Sequence, residues 1–591
     1  MKQAVSEGDQ ICATRDVEQD KKQVVVALLP NAVKITIGLF SADFLCMLGM
    51  NTLRLPSRAL PWVFVGILAA AVYCVYRSGC LSSRPPELFS AVGNFRLVIL
   101  LLLLTLIYSC VRMRYALEMP LHQLANLSFD DKWHVQEINS LANSPRYPAQ
   151  SSFHPDMYFS QYYAPWMLAA AIYRALPVPG FTIKAALFLC SAIYLFLIPL
   201  ALADVALRLA RTRNHFYWAF YWIVCWSGLS GLFSLVHPFQ QNQWWMRSFG
   251  FELQFSTFSD LSIYVLHHLS AATALILSWY LWRSAPLAGN AFTVFACSLL
   301  AAFAFYSSGF VCLGAFPIAL VLLFRSRGLR AHLAMASCSL SAALIAPLAW
   351  LYMRKPGGAP WILMPHPRWI HVPQWVHLGV AGIHLRNSIA FVVFFALLIL
   401  SFPFVPWALS TVSRAVQKPS GTEKALVVTA SAFLISTYFI GFPLGNNYAM
   451  RGAIIPIIVL AWICSKFLPP IRWSTIAGLL LVVGAFGSIQ DIALSYSRAL
   501  PRFQSLNTDE VLRLNRDRSY GTVKRSELSP MLRQDAEALY HLEKVPSEVI
   551  SPGAPKDDDS QARDKQLESF GPCGLWKWQR NPEIPSETCD R

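Results

Sequence analysis

Two adjacent carboxylates, Asp130 and Asp131, follow closely after a long apolar run and stand within a segment rich in histidine and aromatic residues. Segment 113–160 also contains His134 and Glu137. A carboxylate beside a membrane exit can accept the proton of a hydroxyl group, and it can share a divalent cation with a phosphate. These residue types favour chemistry on a polar ligand at a membrane surface.

A structural role for the same acids is also open. The stretch from Asp131 to Ala142 predicts a helix, and Asp130 would then cap its first turn, which is a common position for aspartate. Against a purely structural role, Asp131, His134 and Ile138 recur at helical spacing and would share one face. The two interpretations make different predictions for an Asp to Asn change, because Asn caps a helix as well as Asp does.

The elements that must position these residues follow from the composition of the chain. Its 591 residues are 55% hydrophobic and only 14% charged. Many apolar runs approach or exceed the roughly 20 residues that cross a bilayer, and they lack the alternation of barrel strands. The sequence therefore predicts an all-α polytopic membrane protein with about 13 transmembrane helices, since helices satisfy their own backbone hydrogen bonds.

The net charge of +16 does not indicate a nucleic-acid partner, because the basic residues form short clusters between the apolar runs. Basic loops tend to remain in the cytoplasm, so the clusters predict the orientation. The predicted spans are 24–50, 62–79, 96–112, 181–207, 216–236, 261–282, 291–306, 309–324, 332–353, 388–411, 425–441, 451–468 and 473–490.

This topology divides the chain into three parts. A cytoplasmic N-terminal tail, 1–23, precedes a multi-span membrane domain, 24–490, and an extracytoplasmic C-terminal tail, 491–591, follows. The membrane domain carries three extracytoplasmic loops, of which 113–160 is the first large one and 237–260 and 354–387 are the others. A short apolar helix is expected within 160–176. It ends before Pro177 and Pro179, so we expect it to lie in the interface or to re-enter the membrane.

The order of these motifs resembles the GT-C type of membrane glycosyltransferases over residues 96–215. In that family an acidic residue or pair opens the first large outer loop. A helix, a "HPP"-like turn, an interfacial helix and a span ending in basic residues come next. The corresponding pieces here are Asp130-Asp131, the helix to Ala142, His154-Pro155, segment 160–176 and the "RLARTR" cluster. The turn here reads "HPD", and the acids follow the third apolar run.

The resemblance implies that a sugar is moved from a polyprenyl-phosphate donor to a glycan, lipid or protein acceptor. The predicted location is the cytoplasmic membrane of a bacterium, with the site on the extracytoplasmic face and in contact with membrane lipids. Asp131 would be the base and Asp130 its partner or a metal ligand. No cofactor is required by the sequence, although Mg²⁺ or Mn²⁺ could bridge acid and phosphate. His154 would contact the substrate.

Basic and aromatic residues on the same face are further candidates for substrate binding. Arg451 and Tyr448 lie at the outer mouth of a predicted span, where an arginine can hold a lipid-linked phosphate with two parallel hydrogen bonds. Loop 237–260 combines Gln241, Trp244 and Arg247, which suit sugar hydroxyls and the apolar face of a pyranose. Both groups also fit a structural role, because arginines snorkel and tryptophans anchor at membrane interfaces.

Two other classes of function remain open. A transporter or flippase for a lipid-linked or anionic solute would place charged groups inside its spans, and a non-catalytic assembly protein would bind a partner through its tail. The histidine pair "HH" inside a span could form a proton or substrate pathway, or two packed imidazoles. The residues concerned are Lys34, Asp43, Lys184, Asp204, His267 and His268.

The topology gives a direct prediction for the sides of two segments. Residues 113–160 and 491–591 should face the same, extracytoplasmic side, because basic clusters hold the intervening short loops inside. Single cysteines introduced at Ala149 and Ser560, with native thiols blocked first, should react with a membrane-impermeant maleimide on intact cells. If either cysteine reacts only after the membrane is disrupted, the predicted orientation is wrong.

Overall fold

The computed structural model describes fifteen parts of the chain, and all of them belong to the first of two structural units, Met1–Ser529 and Pro530–Arg591. The described residues are 27–79, 81, 87–88, 91–117, 129–149, 157–159, 164–176, 183–225, 258–263, 265–284, 290–351, 364–365, 419–441, 448–468 and 522–524.

The described part of the chain is mainly helical, with four strands of two or three residues. The helices are α1 Leu28–Thr52, α2 Leu60–Arg77, α3 Ala91–Leu117, α4 Phe129–Asn143, α5 Met167–Ala175, α6 Ile183–Leu209, α7 Arg213–Phe220, α8 Phe258–Ile263, α9 Leu266–Ser284, α10 Asn290–Ser307, α11 Gly309–Arg325, α12 Leu329–Leu351, α13 Gly421–Phe439 and α14 Ile454–Ser465. The strands are β1 Met157–Phe159, β2 Met364–Pro365, β3 Ile440–Gly441 and β4 Thr522–Lys524. Short 3₁₀ turns cover Ser57–Ala59 and Ala164–Trp166, and π turns cover Tyr221–Cys225 and Tyr448–Gly452.

Five helices within the described ranges are long and apolar enough to cross a membrane. They are Leu28–Thr52, Ser57–Arg77, Gly93–Val111, Ala185–Leu209 and Leu329–Pro347. Each overlaps a predicted span, so the predicted helical character is confirmed, and the length and apolar composition of these helices support membrane association. The full count of about 13 spans stays a prediction, and the predicted spans 388–411 and 473–490 lie outside the described residues.

Several helix termini are joined by hydrogen bonds at one end of the bundle. We call this end the basic end. Arg213, at the start of α7, donates from Nε to the carbonyl of Leu88 at 3.0 Å. Lys466, just after α14, lies 2.6 Å from Glu423 in the first turn of α13. Basic residues that the sequence assigns to the cytoplasm therefore occupy one end.

The start of α13 shows how this end is fixed. Ser420 and Glu423 form a capping box, in which the Ser420 N–H donates to Glu423 Oε2 at 2.7 Å and the Glu423 N–H donates to Ser420 Oγ at 3.2 Å. Burial alone would raise the pKa of Glu423, but hydrogen bonds from Lys466 and Ser420 outweigh it and lower that pKa to about 2. The carboxylate remains ionised at neutral pH and ties α13 to α14.

The opposite end of the bundle, which we call the far end, joins other termini. The Tyr147 N–H, after α4, donates to the carbonyl of Leu55, after α1, at 3.0 Å. β1 pairs with β4 in antiparallel register, with Met157 opposite Lys524. This pairing unites two segments that the topology prediction places on the same side. The side of the membrane itself stays a prediction.

Helix α5 starts deep in the bundle and ends after nine residues, a length of about 13 Å. The N–H of Leu168, its second residue, donates to Asp43 Oδ1 at 3.1 Å, and Tyr194 donates to the other carboxylate oxygen. Asp43 and Tyr194 lie in the middle of α1 and α6. The sequence analysis left open whether this segment lies in the interface or re-enters the membrane. The buried start of α5 favours a re-entrant half-helix, which stays a prediction.

Asp43 accepts a hydrogen bond from a backbone N–H in the first turn of α5, which would otherwise be unpaired in an apolar interior. We expect Asp43→Leu to lower the free energy of unfolding by about 2 kcal/mol, because it leaves the buried Leu168 N–H without its acceptor and leaves Tyr194 only the Pro165 carbonyl at 3.2 Å. Asp43→Asn retains one acceptor oxygen and the shape of the side chain, so it should cost less. Thermal unfolding in detergent micelles measures both. A leucine variant as stable as the wild type would show that Asp43 does not hold α5.

Candidate functional site

Helix α4 carries the predicted acids at its beginning. It starts at Phe129, two residues before the predicted start, so Asp130 and Asp131 both lie in its first turn. Negative charge is favourable there, because the helix dipole presents its positive end. Asp130 is the second residue of the helix, so it does not occupy the cap position predicted for it, which precedes the first helical residue. The role of Asp131 as a base stays a prediction.

The buried face of α4 contains a carboxylate–imidazole pair. Glu137 is 0% exposed and His134 is 2% exposed. His134 Nδ1 lies 2.9 Å from Glu137 Oε2, one helical turn apart. An ionised Glu137 can only accept hydrogen bonds, and in that state Nδ1 carries the proton and Nε2 is the basic nitrogen of the ring. Asp130 occupies the helix position one turn before His134 and two turns before Glu137.

Aromatic and imidazole rings from other segments surround His134. The Trp166 ring lies 4.3 Å from the His134 ring, and the His267 ring lies 4.8 Å from it at an interplanar angle of 72°. His267 and His268 are themselves 3.8 Å apart, between ring centroids, at the start of α9. We call His134, Glu137, Trp166, His267 and His268 the histidine cluster. It combines three segments that are distant in sequence.

The re-entrant turn before α5 places Trp166 in this cluster. Trp166 is fully buried. The carbonyl of the preceding Pro165 accepts hydrogen bonds from Tyr194 at 3.2 Å and from the Cys190 thiol at 3.7 Å. Within the described residues the indole Nε1 of Trp166 makes no hydrogen bond. Trp166 therefore gives the cluster an N–H group that can donate a hydrogen bond to a polar ligand.

Arg451 lies at the far end, in the π turn that precedes α14. His268 is within electrostatic range of Arg451, His267 and His134, so the guanidinium and the histidine cluster share one electrostatic environment. Insertions of the π type are frequent at functional sites, because they redirect one side chain within a helix. Arg451 is thus within electrostatic range of a cluster that the sequence did not predict, and its role as a phosphate ligand stays a prediction.

Two glycines bring this turn against α11. A Cβ atom built on Gly314 would lie 1.7 Å from the carbonyl oxygen of Gly452, and one on Gly452 would lie 3.2 Å from the Phe433 ring. The backbones can approach this closely only because Gly314 has no side chain. The position of Arg451, one residue before Gly452, depends on this contact.

The other predicted site residues fall mainly outside the described residues. This applies to His154, Gln241, Trp244 and Arg247, whose proposed roles stay predictions. For Tyr448 the backbone is described, in the same π turn as Arg451. In the described ranges no group of three or more His, Cys, Asp or Glu residues could hold a metal ion. The predicted cation site at Asp130 depends on a side chain outside that description.

Glu137 and His134 are the members that the site prediction missed. Both were visible as polar residues in segment 113–160, and their three-residue spacing permits a contact within one helix. Nothing in the sequence distinguished them from a solvated pair. The adjacent histidines 267 and 268 were recognised as polar residues inside a span, and the structure gives them partners on α4 and in the re-entrant turn.

We compared the chain with protein-family models, curated proteins and solved structures. No protein-family model, curated protein or solved structure matches the chain.

The glycine contact generates a prediction about Arg451. We expect Gly314→Ala to displace the π turn, because its methyl group would overlap the Gly452 carbonyl, and any binding that depends on Arg451 should weaken at least tenfold. Gly309→Ala, in the same helix where a Cβ meets no atom within 4 Å, is the matched control. Binding of a farnesyl phosphate probe to protein in nanodiscs provides the measurement. Equal binding by both variants would contradict the positioning role.

Proposed function

We propose that this chain is a membrane glycosyltransferase that moves a sugar from a polyprenyl-phosphate donor to a glycan, lipid or protein acceptor. One observation supports it most. A buried carboxylate–imidazole pair on α4 packs against His267, and the adjacent His268 is within electrostatic range of Arg451, all within a bundle of apolar helices. Transfer from a lipid phosphate requires a base for the acceptor hydroxyl and a cation for the phosphate, and this arrangement offers an imidazole for the first role and Arg451 for the second.

The reaction needs two kinds of group. A base takes the proton of the acceptor hydroxyl, and a cation stabilises the phosphate as it departs. α4 carries Asp131, the base predicted from the resemblance, with Asp130 as its partner or as a ligand of Mg²⁺ or Mn²⁺. Arg451 provides a planar guanidinium that can bind two phosphate oxygens at once. The donor needs no soluble domain, because its lipid reaches the site from the bilayer.

The placement of the cluster agrees with a lipid substrate. α9 and α14 both end at the basic end and begin at the far end, so His267, His268 and Arg451 lie in the half of the bundle opposite the basic residues. With basic loops in the cytoplasm, this half faces the extracytoplasmic side, where polyprenyl-phosphate sugars are consumed by the enzymes that the chain resembles. The proposed location is the bacterial cytoplasmic membrane.

The proposal is tested by supplying the substrate class directly. Purified protein in nanodiscs is incubated with polyprenyl-phosphate sugars labelled in the sugar, with Mg²⁺, Mn²⁺ or EDTA, and the release of label from the lipid is followed. Consumption of at least one donor is expected. Failure to consume any of a panel of hexose, pentose and amino-sugar donors, with acceptor lipids and glycans present, would reject it.

Substitution of the acids tests the assigned chemistry. If Asp131 is the base that the resemblance implies, Asp131→Asn lowers transfer by about 10²- to 10⁴-fold, because the charge is lost while the shape is retained. A capping role predicts no change, since Asn is an equally good cap. Full transfer by the Asp130→Asn, Asp131→Asn double variant at unchanged expression would leave these acids with a structural role.

Substitution of the arginine tests phosphate binding separately. Arg451→Lys keeps the charge but loses the planar fork, so donor affinity should fall more than the rate of the chemical step. Arg283→Lys is the matched control, because Arg283 lies at the basic end of α9 and stacks on Trp279. We expect a raised KM for the donor only in the Arg451 variant. A normal KM with a reduced kcat would indicate a role other than phosphate binding.

A transporter of a lipid-linked or anionic solute is the second candidate, and charged side chains buried in helices favour it. Asp43 is enclosed in α1, and Asp204 on α6 binds Arg208 through 2.6 and 3.1 Å contacts near the buried Lys34. Charges inside spans often mark a translocation route. Flipping of a fluorescent lipid phosphate in proteoliposomes, with the donor lipid chemically unchanged, would favour this candidate over transfer.

A further inference from the structure

We propose that His134, held by Glu137, is the residue that takes the proton of the acceptor hydroxyl, an inference that rests on the transferase function proposed above. The sequence assigns this role to Asp131. The structure instead shows a complete acceptor pair one turn further along α4, where an imidazole and its orienting carboxylate are 2.9 Å apart.

The first argument is the cost of burying Glu137. A carboxylate with no exposed surface is stabilised only by a nearby positive charge or by hydrogen bonds. The His134 ring is one of its partners, at 2.9 Å. The pair gains most when the ring becomes an imidazolium, so the burial of Glu137 favours His134 as a proton acceptor.

The second argument is orientation. Because Glu137 accepts from Nδ1, the basic Nε2 is on the opposite edge of the ring. Trp166 and His267 fix the ring plane from two sides, at 4.3 and 4.8 Å between ring centroids. A base whose tautomer and rotation are fixed by neighbours needs little reorganisation during proton transfer. The same division of roles between a carboxylate and an imidazole is found in serine hydrolases.

The third argument is the electrostatic surroundings. Among the described side chains, the titratable and charged groups near His134 include Glu137 on its own helix, His267 and His268 on α9, and Arg451, which is within electrostatic range of His268. Arg451 would be neutralised by the donor phosphate. The bound donor therefore removes the positive charge that would oppose protonation of His134, and this couples donor binding to proton uptake.

The step balances with these groups alone. The acceptor oxygen forms a bond to the anomeric carbon while the bond between that carbon and the phosphate oxygen breaks, and the phosphate leaves with the electron pair. The hydroxyl proton moves to His134 Nε2 and is later released to solvent or to the phosphate. Asp130 and Asp131 then remain available to bind the acceptor or a divalent cation at the start of α4.

The pH dependence of transfer distinguishes His134 from an aspartate. If His134 is the base, activity falls as the ring becomes protonated, and an aspartate base would lose activity only at much lower pH. Glu137→Gln removes the charge that stabilises the imidazolium, so the fall should move to lower pH by about one unit while the maximal rate drops. His134→Asn should lower kcat by about 100-fold or more with little change in donor KM.

His215→Asn provides a matched control. His215 is also buried, but it lies at the basic end, where its Nε2 is 3.0 Å from the Trp462 carbonyl. This variant should lose stability and keep the wild-type pH profile of the remaining activity. If the His134 and Glu137 variants also keep that profile, the pair is structural and the proposal is overturned.

A second measurement is independent of turnover. Thermal unfolding of Glu137→Gln, His134→Asn and the double variant forms a double-mutant cycle. We expect the double variant to lose clearly less than the sum of the single losses. Additive losses would show that the pair is not coupled and would overturn the proposal even in an active enzyme. If the losses are coupled but the protein consumes no lipid-linked sugar, the transferase function is rejected, and the role of His134 as the base is rejected with it. The His134–Glu137 pair would then be a structural interaction.

Discussion

The hydrogen bond from the Leu168 N–H to Asp43 is the contact on which the arrangement of the site depends. A helix that begins inside an apolar bundle exposes N–H groups that neither water nor its own turns can satisfy. Asp43 accepts one of them and also accepts from Tyr194, which in turn contacts the Pro165 carbonyl. Trp166 lies between these two anchored residues. The His134 and His267 rings pack against a tryptophan whose position is fixed by a carboxylate on a different helix.

Charge burial follows the same rule elsewhere in the bundle. Asp204 is held by Arg208 one turn away, and Glu137 by His134. An unpaired ion at these depths would cost several kcal/mol, whereas a paired one approaches balance. The two pairs nevertheless differ in whether they can exchange a proton. The guanidinium of Arg208 keeps its proton at any physiological pH, but an imidazole can exchange its proton, so only the His134 pair can take part in proton transfer.

Sequence reasoning succeeded where periodicity and composition decide the structure. The five long apolar helices coincide with predicted spans, and α4 occupies the stretch predicted from its spacing. It failed where the outcome depends on contacts between distant segments. Asp43 and Leu168 are separated by 125 positions, so no local pattern could predict that an aspartate within α1 would cap α5. The site prediction missed Glu137 for the same reason, since the helix that carries it is packed against α5, α6 and the turn Ala164–Trp166, which are distant in sequence.

For Arg451, the sequence indicated a position at the entrance of a span but not the turn that holds it there. Its depth at a span entrance predicted a phosphate ligand, and the structure places it near His268. The sequence did not indicate the π turn or the contact of Gly452 with Gly314 on α11, without which that turn could not approach the bundle. α4, the re-entrant turn, α9, α11 and the turn before α14 each contribute one constraint to the cluster. Because no single segment contains the site, its geometry is a property of helix packing, and residues that contact no ligand can determine it.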